Sequence, residues 1–189
     1  LVITDPSAVC TPATVDLTTA AITSGSTLVG AVLGYWTDAG AVNALATPDA
    51  VATSGTYYIR ALSSGECFDI KPVTVVINES PVVSGVTSLC AGDSDTFTAT
   101  GSPAIVNPWE SSDITVAIVD ATGKVTAVSA GTATITFTTA EGCSATQSLK
   151  VNPAASITGT LSVCSGLKTT LTGSGTPDAV NPWTSSDNG

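Results

Sequence analysis

Residues 90–113 recur as residues 164–187, at a shift of 74, with 13 identities in 24 positions and no gap. The shared positions include Cys90/Cys164, Gly92/Gly166, Gly101/Gly175 and Pro103/Pro177. They also include Asn107-Pro108-Trp109 against Asn181-Pro182-Trp183, each followed one residue later by Ser-Ser-Asp. Repetition at fixed spacing means that one small folding unit has been copied along a longer chain. The later copy reaches Gly189 before its fold could close, so the chain reads as an excerpt from a tandem array.

A unit of this length folds with a thin core. It buries roughly 60–65% of its unfolded surface, and an additional staple is expected. The five cysteines supply one when assigned by repeat. Each complete unit has a cysteine near its start and another near its end, Cys10 with Cys67 and Cys90 with Cys143. Cys164 then opens a third unit whose partner would lie further along. Two disulfides are expected, each closing a loop of more than 50 residues and contributing about 4 kcal/mol by loop entropy. Such bonds imply an oxidising, extracytoplasmic compartment. The alternative is a set of buried free thiols.

Strand signals fill each unit. Residues 95–100, 124–128 and 132–138 alternate polar and apolar side chains, the period-2 pattern of a half-buried strand, and residues 145–151 complete the set. In the first unit the corresponding strands are expected at 14–18, 32–37, 56–62 and 71–77. No stretch has sustained helical periodicity. With 32 Thr and 22 Ser among 189 residues, the composition agrees with an all-β chain. Short strands with turn signals every 8–12 residues point to tandem immunoglobulin-like β-sandwiches, two complete and a third truncated. Residues 1–4 read as the last strand of a preceding domain, 5–79 as the first sandwich, 80–152 as the second and 153–189 as the first half of the third. The connections at 78–81 and 151–153 are short and contain proline, which stiffens them.

The excluded chemistries are informative. The chain has no histidine, so Ser-His-Asp, Cys-His and histidine-bearing zinc sites are absent from this segment. A net charge of −10 leaves no basic stripe for nucleic acid. No apolar run approaches the ~20 residues of a spanning helix. Calcium is the remaining cofactor to weigh, because acidic loops supply oxygen ligands. Its candidates are Asp93, Asp95, Asp113 and Asp120, with Asp5 and Asp38 in the first unit. The simpler reading makes Asp113 and Asp187 turn residues that bond nearby backbone N–H groups, with no metal or other cofactor held. Trp36, Trp109 and Trp183 fall at comparable places, one per unit, and are expected in the core rather than on a sugar-binding platform.

Three stretches of the second unit carry a resemblance: residues 109–113, 119–128 and 131–136. Together they resemble the bacterial immunoglobulin-like group 2 domain of intimin- and invasin-type adhesins, over most of 81–152 and the opening half of the third unit. The first unit, through Tyr35-Trp36-Thr37-Asp38, residues 54–59 and residues 71–74, resembles repeats of giant Bacteroidetes surface proteins. Those include gliding-motility adhesins exported by the type IX system. The cysteine pairs depart from the commonest group 2 form and suit the Bacteroidetes versions. The resemblance implies a sandwich fold and a bacterial cell-surface setting. The expected role is a non-catalytic stalk segment of a long adhesin or filament, whose partners are the neighbouring repeats and other surface or secretion proteins. A glycan- or protein-binding module, or a spacer within a secreted hydrolase, are the alternatives.

Overall fold

The computed structural model describes residues 1–175, 180 and 182–186, and the repeat residues Pro177, Asn181 and Asp187 lie outside them. The described chain is built of strands, with one 3-10 turn at Ala20–Thr23. Close packing divides it into two compact units. One comprises residues 1–83, 99–108 and 136–146; the other comprises 84–98, 109–135 and the chain from Gln147 onward.

In the first unit β1 (Val9–Cys10), β2 (Val32–Trp36), β3 (Gly55–Leu62), β4 (Phe68–Val75) and β5 (Ile77–Asn78) make two sheets. β2, β3 and β4 form an antiparallel sheet, with Gly34 opposite Arg60 and Tyr57 opposite Val73. Alternation sends Tyr57, Ile59, Val73 and Val75 inward, where they meet Val15, Leu17, Ile22 and Val51. β1 pairs in parallel with β5, Val9 opposite Ile77 and Cys10 opposite Asn78. Residues 14–18 form no strand beyond a single bridge from Val15 to Val51. Asp16 explains the interruption: its Oδ1 accepts the N–H (2.8 Å) and hydroxyl (2.6 Å) of Thr18, a local turn that competes with a ladder.

Leu1 to Thr4 are not in a strand of this structure. Leu1 and Ile3 pack on the core just described, and the Thr4 N–H donates to the Ile22 carbonyl at 2.9 Å. Two apolar side chains at alternate positions find their burial here, beside the 3-10 turn.

Further along run β6 (Val83–Ser84), β7 (Ser88–Cys90), β8 (Ser94–Thr96), β9 (Thr98–Ala99), β10 (Trp109–Ser111), β11 (Ala117–Val119), β12 (Lys124–Ala127), β13 (Gly131–Thr138) and β14 (Ser144–Asn152). One sheet has the order β10-β13-β14-β7, another β11-β12-β8. The alternation of β13 buries Ala133, Ile135 and Phe137 while threonines take the other side. The strand expected over 95–100 is broken at Phe97. Its side chain is 1% exposed and its N–H extends the register with β12 by one residue, donating to the Gly123 carbonyl at 2.8 Å, before β9 changes partner to β6. Gly85 leaves room for that ring, since a Cβ there would stand 2.5 Å from it. β7 pairs in parallel with the end of β14, Leu89 opposite Val151 and Cys90 opposite Asn152. A last antiparallel pair, β15 (Ile157–Gly159) with β16 (Leu171–Gly173), follows.

Candidate functional site

The cysteines are joined in a different way from the repeat-by-repeat expectation. Cys10 bonds Cys143, a sequence separation of 133, while Cys67, Cys90 and Cys164 are exposed free thiols. Strand register gives the reason. Cys10 stands opposite Asn78, at the far end of the closing strands, whereas Cys67 precedes Phe68 at their beginning. The eight residues of β4 alone put about 23 Å between those ends, far beyond the 4.4–6.8 Å that a disulfide spans. Cys90, opposite Asn152, is separated from Cys143 by the nine residues of β14 in the same way. An opening and a closing cysteine of one repeat therefore sit at opposite ends of the same sandwich, and neither expected pair can form.

The tryptophans differ from one another. Trp109 is buried at 8% exposure, whereas Trp183 is 49% exposed with its ring against Gly173. Trp36 lies outside the core as well. Leu33 and Tyr35 pack inward, so Trp36 projects from the opposite face of β2 and is half-buried there. Burial also pushes the Tyr35 hydroxyl above its ordinary pKa, with the charge of Asp16 adding to the effect.

Three cross-strand rows compose that outer face. They are Trp36–Tyr58–Pro72, Gly34–Arg60–Ile70 and Val32–Leu62–Phe68. Gly34 lets the indole fold back along its own strand, because a Cβ there would lie 3.1 Å from Trp36 Nε1. The Arg60 guanidinium then stacks 4.9 Å from the centre of the Trp36 ring and 5.9 Å from that of Phe68. Trp36 Nε1 is buried without a hydrogen-bond acceptor. Among the described residues Arg60 forms no ion pair. Val32 and Phe68 are 70% and 63% exposed.

The acidic candidates are dispersed. Among the described residues no three or more His, Cys, Asp or Glu side chains are gathered to hold a metal. Asp113 Oδ1 accepts the Thr115 N–H and hydroxyl, and Asp120 Oδ1 accepts those of Thr122 and the Lys124 N–H. The threonine hydroxyls chiefly hold both carboxyls below their ordinary pKa. Asp38 is caged by the N–H groups of Gly40, Val42 and Asn43, the last lowering its pKa most. Asp5 accepts the Thr74 N–H. Asp95 pairs by its backbone with Val125, and the Asp93 carbonyl accepts from Ala127. The carboxylates of Asp38, Asp113 and Asp120 close local turns, whereas that of Asp5 ties together residues 69 positions apart. The Trp36–Arg60–Phe68 stack escaped the sequence reading, although Gly34 two residues before a tryptophan, and a solitary arginine, were its available signals.

Comparison with known proteins agrees with the architecture. Residues 71–151 match the bacterial Ig-like domain (group 2) family. A lacto-N-biosidase of Bifidobacterium bifidum is 39% identical over 88 residues, 45% of this chain but 8% of that protein. Among solved structures, an intimin mutant of EHEC O157:H7 is 23% identical, with 39% of each chain covered and a TM-score of 0.30. The surface layer protein SbsC, domains 1–6, is 18% identical over 79% of this chain and 29% of that one, TM-score 0.33. No described helix is long and apolar enough to cross a membrane. The protein is an all-β chain with immunoglobulin-like architecture, in which residues 71–151 match the bacterial Ig-like domain (group 2).

Proposed function

We propose that this chain is a load-bearing, non-catalytic stalk segment of a long, repetitive protein on a bacterial surface. One observation carries the reading: in both repeats the entering strand lies parallel to the leaving strand, β1 on β5 and β7 on β14. The hydrogen bonds beyond each pair repeat too, Thr11 N–H to Asn78 and Ala91 N–H to Asn152, both at 2.9 Å. Pulling such a domain by its ends loads these bonds in shear, so they must break together rather than one by one. The cysteine pattern supports the same reading. Opening and closing cysteines at opposite ends of one sandwich suit a ladder in which each opening cysteine joins the closing cysteine of the next repeat. Cys10–Cys143 is one rung; Cys90 would form the next with a following repeat, and Cys67 the previous one with a preceding repeat.

Single-molecule stretching of the 189-residue chain tests this. Reduced protein, in which the β1–β5 and β7–β14 pairs carry the load, should rupture at high force; in oxidised protein the Cys10–Cys143 bond bypasses both pairs and should shorten the full extension by about 45 nm, the length of the 133 locked residues. Low-force, stepwise unzipping of the reduced chain, or an extension indifferent to reductant, would refute the stalk. The likeness to a segment of a lacto-N-biosidase favours a second reading, a spacer in a secreted hydrolase. A catalytic domain in the same parent polypeptide would decide for it.

A further inference from the structure

We infer that the outer face of β2-β3-β4 is a binding platform for acidic carbohydrate, in which Arg60 engages a sugar carboxylate beside the Trp36 and Phe68 rings. Charge is the first argument. Arg60 is the sole arginine in a chain of net charge −10, and among the described residues it pairs with no carboxylate. Of the nine residues in the three cross-strand rows it alone is charged. The guanidinium held over these rings carries its N–H donors in one plane. That is the fork that accepts a carboxylate in two parallel hydrogen bonds.

Shape is the second argument. The rows cross three strands, so the platform spans two strand spacings, about 10 Å, close to the length of a disaccharide. Its three strands present Trp36, Tyr58 and Phe68 on one face, and the C–H face of a pyranose packs against such rings. A peptide would instead add to a sheet edge through its backbone. The third argument is the unpaired Trp36 Nε1. A buried donor without an acceptor weakens the fold, so packing stability alone does not account for the indole's placement.

The 189-residue chain should be titrated with oligogalacturonate, hyaluronan and alginate fragments, each beside its methyl ester, by calorimetry and tryptophan fluorescence. At least one acid should bind, and its ester should bind about tenfold more weakly or not at all. Arg60→Ala should abolish that binding, and Arg60→Lys should weaken it about tenfold by removing the fork. Phe68→Ala, at an exposed position, should lower affinity without lowering the melting temperature, which separates a binding defect from a folding defect. Glu110→Gln, outside the face, should change nothing. No binding by any acid, equal binding of acid and ester, or full binding by Arg60→Ala would overturn the inference. Equal binding of polyglutamate would overturn the assignment to carbohydrate. All of these outcomes leave the stretching result untouched, so the two readings fail separately.

Discussion

Replacing Gly123 with alanine tests how the second sandwich is closed. Gly123 ends the turn between β11 and β12 with φ +85°, in the left-handed region where a Cβ costs about 1–2 kcal/mol. The new Cβ would also stand 2.4 Å from the Phe97 carbonyl oxygen and 3.1 Å from the Trp109 ring. The nearer atom is backbone, so the turn itself must shift, at an overpacking cost of about 1–3 kcal/mol. That shift disturbs the bond from the Phe97 N–H to the Gly123 carbonyl, worth about 1 kcal/mol. Together these effects come to about 3–6 kcal/mol, a large part of a small domain's stability and more than about 10 °C of melting temperature. Gly142 is the internal control. It has φ +83° but nothing within 4 Å of its Cβ position, so Gly142→Ala should cost only the conformational part, about 1–2 kcal/mol. Urea unfolding followed by tryptophan fluorescence and near-ultraviolet dichroism would compare the two. Equal losses in both variants would refute the close approach of Gly123 to Phe97 as the controlling contact.

Two further outcomes are expected. Cys143→Ser and Cys10→Ser should each lose about 5 kcal/mol in the loop-entropy description of a 133-residue separation, whereas Cys67→Ser and Cys90→Ser should melt like the parent; peptide mapping and thermal melts read both. Asp113 and Asp120 have folded-state pKa values below their ordinary value of 3.8, so their stabilisation is complete above that pH and is lost as pH falls through the folded values. Urea midpoints measured at neutral pH and near pH 3 should therefore fall less in an Asp113→Asn, Asp120→Asn double variant than in the parent.

Much of the architecture was legible because it rests on local pattern. The alternation in residues 132–138 fixes which side of β13 faces inward, and residues 121–123 announce the turn between β11 and β12. What stayed hidden depends on register across strands. A cysteine near each end of a repeat looks like a pair until Cys10 is seen opposite Asn78, a whole strand length from Cys67. Repeat symmetry fixes where cysteines recur but cannot distinguish a bond within a copy from one between copies. Trp36 was obscured by analogy with Trp109, since similar positions between cysteines suggested similar burial. The inward places on β2 go to Leu33 and Tyr35, and a shift of one residue puts Trp36 on the other face.

The long reach of the Cys10–Cys143 bond has a consequence for proteolysis. Any single cut among the residues between those two cysteines, including the proline-containing connection at 78–81, leaves both fragments attached through sulfur. Damage within that loop would then appear only after reduction, as new bands on a gel.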